Sequence, residues 1–214
     1  MAWAHFGLGV VAMSRTDHAA ATPHVEESLR SFREINEDLG VARATTCLGM
    51  VALMRGDVSL ATETFEEGLA VARRIGDRSA VCITLYNLAQ VALCRGDHDH
   101  AAALFEEGVT LSERMGDRAN VAYCLEGLAT VAGTRGQVER YARLLGAAEG
   151  LLQAVGVPVY TYYKPDPSLY ERTMTNTRLR LGAAPFERVR TEGRAMTFEQ
   201  AVEYALEDDK ASSE

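Results

Sequence analysis

The feature that most constrains this chain is a period of forty residues. Leu8, Leu48, Leu88 and Leu128 share one phase, and each is followed by a small residue: Gly9, Gly49, Ala89 or Ala129. Three residues after each leucine come Val11, Val51, Val91 and Val131, then Ala12, Ala52, Ala92 and Ala132. Steps of three and four trace one face of an α-helix, so the same helical face is written four times. A lone helix pair of this size cannot bury such a face. Stacking against neighbours must supply the stability, which predicts an array of helical units.

The turns repeat with the helices. Arg55-Gly56-Asp57, Arg95-Gly96-Asp97 and Arg135-Gly136-Gln137 close the first helix of a unit, with a degraded Arg15-Thr16-Asp17 in the first copy. Glycine takes the left-handed conformation that ends one helix, and aspartate accepts a hydrogen bond from the open amides of the next. That geometry accounts for both RGD triplets without an integrin-type role. The second helix carries Ala21, Ala61 and Ala101, then Val25, Phe65, Phe105 and Leu145, a small-then-large face four residues apart. It closes with Ile75-Gly76-Asp77-Arg78 and Met115-Gly116-Asp117-Arg118, so each unit reads as a helical hairpin.

The pattern breaks after Gly156 into a proline- and tyrosine-rich loop with Tyr160, Tyr162 and Tyr163. Ser168 to Glu171 has the spacing of a capping box and predicts a helix to about Leu181. Pro185 suits the first turn of a helix reaching Gly193, and Thr197 to Gln200 opens a last one ending near Glu207. The expected organisation is four repeats over 1–156, a C-terminal helical cap over 157–208 and a disordered tail over 209–214.

Charge and composition remove several function classes. With 22 basic and 30 acidic residues the net charge is -8, a surface that repels phosphate backbones and anionic headgroups, so direct nucleic-acid or membrane binding is not expected. The lysines are Lys164 and Lys210 alone, which leaves the repeats without an ammonium group for a phosphate or a Schiff base. Cys47, Cys82, Cys94 and Cys124 form no C-x-x-C pair, lie in helical stretches and are expected to pack; a reducing cytoplasm fits them. The opening MAWAHFGLGVVAM is apolar but lacks a basic start and runs in register with the later repeats, so it reads as structure. No stretch approaches a membrane span.

The order Leu48-Gly49, Ala61, Phe65 resembles the tetratricopeptide signature, over about residues 2 to 156. The unit is about six residues longer than usual, and Arg73 and Glu113 stand near the signature's closing proline. The resemblance implies an all-α fold, a right-handed α-α superhelix of TPR type. The stretch RLLGAAEGLLQAVGVP, with the later GRAMTFEQAVEYALE, resembles the C-terminal end of bacterial ATPase transcriptional regulators of the STAND, LuxR, MalT and AfsR type. In those proteins the repeats form the sensor or partner-binding arm, while nucleotide hydrolysis and DNA binding belong to other domains. This chain carries no G-x-x-x-x-G-K-[ST] loop, and a helix without a cap before Ala2-Trp3 leads to the expectation of a fragment from a longer regulator.

The resemblance also implies a site. In such arrays the first helix of each pair lines the concave face, which nominates Trp3, Phe6, Val10 and Met13; Arg43, Thr46, Met50 and Met54; Ile83, Tyr86 and Gln90; and Tyr123, Glu126 and Thr130. Aromatic and methionine content suits adaptable binding of a protein, a peptide or a small-molecule inducer. The lysine and asparagine clamp for chaperone carboxylates is missing. Trp3, Phe6 and Met13 also fit packing against a preceding domain, and the apolar front end suits an end-to-end homodimer.

The expected function is therefore a binding or sensing domain of a regulator, with a free-standing scaffold as the alternative and an enzyme site between the last repeat and the cap as a third reading. No catalytic residue, cofactor or metal is nominated. Asp97-His98-Asp99-His100, with His5, His18 or His24, resembles a metal cluster, but an acidic residue is wanted there for capping, and neighbours one or two apart point in different directions. The Glu-Glu pairs at 26-27, 66-67 and 106-107 recur in phase, which marks a solvated face and not one reactive centre.

Overall fold

The computed structural model describes residues 1–156 and 166–207, and eleven helices account for nearly all of them. The tyrosines at 160, 162 and 163 and the tail from 209 lie outside the described residues. The first helices of the four repeats are α1 (Ala2–Ser14), α3 (Asp38–Met54), α5 (Arg78–Arg95) and α7 (Arg118–Thr134). The second helices are α2 (His18–Glu34), α4 (Val58–Ile75), α6 (His98–Met115) and α8 (Val138–Val155). Three more follow, α9 (Pro167–Leu181), α10 (Ala183–Arg194) and α11 (Phe198–Leu206). The described residues contain no strand, and the fold is all-α, built of helical hairpins.

The chain divides into two compact units, Met1–Arg95 and Gly96–Glu214. In the first, α1 packs on α2, α2 on α3, α3 on α4 and α4 on α5, around the fully buried rings of Phe32 and Phe65. The aromatic of the small-then-large face needs space, and Gly49 supplies it: a Cβ there would sit 2.6 Å from the Phe65 ring. In the second unit α6 packs on α7, α7 on α8, and α9, α10 and α11 all reach α8. Phe105, Phe186, Leu125 and Leu144 are its largest fully buried side chains.

The aspartate caps within the repeats are the expected ones. Asp17, Asp57, Asp97 and Asp117 each accept from the amide three residues on, at 3.0 to 3.1 Å. Gly56, Gly96 and Gly136 take φ of 80°, 73° and 79°; in the degraded first copy Thr16 occupies the same conformation at 58°. A β-branched residue is strained there, by about 1–2 kcal/mol. Thr16→Gly is expected to raise stability by about 1 kcal/mol, read as a higher urea midpoint at unchanged slope. Asn36, at 53°, should gain less from the same change, since asparagine tolerates this region.

The structure corrects two local readings. The N-cap of α9 is Asp166, not Ser168: its Oδ1 accepts from the Leu169 amide at 3.0 Å and from the Ser168 hydroxyl at 2.5 Å. The Ser168 hydroxyl, and after it the Leu169 amide, hold the Asp166 carboxyl below its usual range. Cys82 and Cys124 are buried as expected, but Cys94 is exposed, because it falls on the outer side of the last turn of α5. The Thr197–Gln200 capping box is present with both of its hydrogen bonds, at 2.9 and 3.2 Å. No described helix is long and apolar enough to cross a membrane.

Candidate functional site

The nominated residues fall on both units. In the first, α1 packs on α3 and α3 on α5, and contacts between these helices join Trp3 to Arg43 and Thr46 to Thr84. Trp3 is exposed and meets Phe6 edge-on, with centroids 5.6 Å apart, and meets the buried Phe32 ring edge-on at 4.7 Å. The Arg43 guanidinium lies 5.8 Å from the Trp3 centroid, a cation–π contact that joins α1 to α3. Phe32 is fixed by the core, so the tryptophan is presented in a set orientation, with a cation over it.

Deeper in the same unit, Thr46 Oγ1 lies 3.3 Å from Thr84 Oγ1 and bridges α3 to α5. Both hydroxyls also bond back to carbonyls four residues earlier, at 2.9 and 2.7 Å, so their polarity is spent inside the fold. Beside them burial pushes the Cys47 thiol up to about 12, against the pull of the Arg43 charge. A thiol held neutral in this way is a packing group and not a nucleophile. Val10 is exposed; Met54, Ile83 and Tyr86 are half-buried; Met13, Thr46, Met50 and Gln90 are buried. The exposed members of the nominated set in this unit are therefore Trp3, Val10 and Arg43, with Phe6 half-buried beside Trp3.

In the second unit Tyr123 and Thr130 are buried and Glu126 is half-buried. Glu126 and Thr130 help line a cavity of about 220 Å³ between α7, α8 and α9, completed by Ala129, Tyr141, Leu145, Tyr170, Glu171 and Met174. Its wall is largely apolar. Burial first, and then the Glu126 charge, drive the Tyr141 phenol well above its ordinary value, so it stays protonated and donates to Met174 Sδ at 3.7 Å. Tyr141, Tyr170 and Met174 were not legible as site residues, because only the docking of α9 brings the last two onto the repeat.

The constellations that resemble chemistry are occupied otherwise. Asp97 caps α6, and Asp99 accepts from Arg135 at 2.5 Å. No group of three or more potential metal ligands is found among the described residues. Glu27 pairs with Arg30, and Glu67 accepts from Arg33 at 2.6 Å, which places members of the Glu-Glu pairs on an ion-paired outer face. His5 and His24 approach at 3.2 Å between their Nδ1 atoms and tie α1 to α2.

Comparison with curated proteins finds no match. The family described as the MalT-like TPR region matches residues 2–164, which takes in all four hairpins. Tetratricopeptide regions of this kind mediate protein interactions, and the fold is typically non-catalytic. On the repeat, the hairpins and a match over most of its length, this chain belongs to the MalT-like TPR region family.

Proposed function

We propose that this chain is the sensing and partner-binding arm of a bacterial transcriptional or signal-transduction regulator working in the cytoplasm, and that a protein or peptide docks on the face led by Trp3, Phe6 and Arg43. The observation that carries this reading is the exposed tryptophan in contact with both a buried ring and a guanidinium. Tryptophan and arginine dominate the energetics of protein interfaces, and an anchor already ordered in the free state loses little entropy on binding. The partner would act by favouring one state of the regulator over another.

The cavity under α9 supports a second ligand class, a small-molecule inducer. Its volume is on the small side for such sites, and its carboxylates favour a ligand with an apolar body and a basic or hydroxyl head. The catalytic alternative gains nothing from it, since the lining provides neither an activated nucleophile nor a lysine.

Cross-linking capture from a bacterial lysate, followed by affinity measurement on the recovered partner, tests the groove. Trp3→Ala with Arg43→Ala is expected to weaken binding by about tenfold or more. Unchanged affinity in that double variant, with its melting curve intact, would remove this face from the function.

A further inference from the structure

The fourth repeat departs from the forty-residue pattern where the cavity between α7, α8 and α9 lies. Ala21, Ala61 and Ala101 give way to Tyr141; Met13, Leu53 and Leu93 give way to Gly133; Phe6, Thr46 and Tyr86 give way to Glu126. The first two changes exchange volume. A Cβ on Gly133 would stand 2.8 Å from the Tyr141 ring, so the missing leucine makes room for the phenol. Packing does not ask for the third. Helix stacking needs no carboxylate at a position that elsewhere holds an aromatic ring or a threonine, and a constellation carried by one repeat alone marks a site, where a recurring one marks architecture.

The cavity's volume of about 220 Å³ falls below the range for drug-sized ligands, which sets a small occupant. Glu126 and Glu171 give it negative charge and no described lining residue is Arg or Lys, so an anion is refused. A sugar or polyol is refused for another reason. The wall is largely apolar, the Thr130 hydroxyl already donates to the Glu126 carbonyl at 3.0 Å and the Tyr141 phenol to Met174 Sδ at 3.7 Å, so a row of hydroxyls would lose water for too few partners. A metal ion finds no group of three potential ligands among the described residues. What the wall supplies is two phenol rings and a thioether, polarizable groups that suit the alkyl shell of an ammonium ion. The field has the matching sign. After burial, the Glu126 charge is the main influence that keeps Tyr141 protonated, and the opposing Arg190 is held by Glu149 at 2.6 Å.

We propose that this cavity binds a small organic monocation, an alkylammonium whose charge is drawn to Glu126 and Glu171 and whose carbon substituents lie against Tyr141, Tyr170 and Met174. This rests on the reading of the cavity as a small-molecule site and fixes the charge of what enters it. The Trp3 face lies in the other unit and contributes nothing to it.

Choline and its neutral isostere, in which carbon replaces the quaternary nitrogen, share one shape and differ in charge. Each is titrated into the full chain carrying methyl-labelled methionine, with Met174→Leu used to identify the Met174 resonance. Choline is expected to shift that resonance saturably and to bind at least about tenfold more tightly than the isostere. Glu126→Gln, at nearly the same volume, should erase that preference while the isostere binds as before. Glu171→Gln, at an exposed position of α9, makes the same comparison should the first variant lose its fold. Equal binding of the two compounds, or a preference that survives both variants, overturns the cation assignment and leaves a small-molecule site. A Met174 resonance that neither compound moves overturns both.

Discussion

Phe105→Ala is expected to lower the stability of the second unit by about 3–5 kcal/mol, the upper range for removing a ring from a core. The ring is fully buried, and it lies where Gly127 of α7 has no side chain to offer. A void left there can be closed only by moving α6 toward α7, and α6 also packs against α11, which opposes that shift. Little relaxation means that the cavity cost adds to the lost transfer energy. Urea unfolding followed by circular dichroism measures it. A midpoint close to wild type would mean that the aromatic position of the repeat is a filler and not the element that fixes the spacing of the helices. Gly127→Ala should also destabilise, since its methyl would overlap the same ring.

The repeat was legible because helix stacking makes local sequence do the work: the residues that bury one another lie within about one period. Leu88 and Val131 could be assigned to a buried face from spacing alone, and Asp57 or Asp117 to a cap from the glycine before them. Depth was harder to read. Tyr123, Met50, Gln90 and Thr130 sit on the nominated helices but are buried, because periodicity gives the angle around a helix and not how much the next hairpin covers. The cap of α9 was misplaced by two residues for a chemical reason. Both Asp166 and Ser168 are good capping residues, and Pro167 between them suits the first turn only if the cap precedes it. The cavity lined by Tyr141 and Met174 was out of reach, since it depends on α9 returning to α7 and α8 across a non-repeating segment. The exposure of Leu8 and Val11 is the converse case: their sequence promises burial that the described fold does not provide.

Helix α10 seats on α8 with main chain against main chain, and Gly146→Ala is the substitution that tests this contact. A Cβ on Gly146 would stand 1.9 Å from the Arg190 carbonyl oxygen, and one on Gly193 of α10 would stand 2.0 Å from that of Arg143 on α8. Two helices this close leave no rotamer to relieve a methyl, so α10 must move away as a whole. That exposes Phe186 and Val189, now 1% and 2% accessible, and pulls Arg190 and Arg194 from Glu149, which both reach at 2.6 Å. The expected loss is about 3 kcal/mol or more, beyond ordinary overpacking because the obstacle is main chain. Glu149→Ala removes the ion pairs alone, and partly exposed pairs of this kind contribute about 1 kcal/mol or less. The order of the two effects is therefore diagnostic. If Gly146→Ala melts like wild type while Glu149→Ala releases α10 to proteolysis, charge and not close packing secures this end of the unit, and the crossing of α8 with α10 tolerates more than its geometry implies.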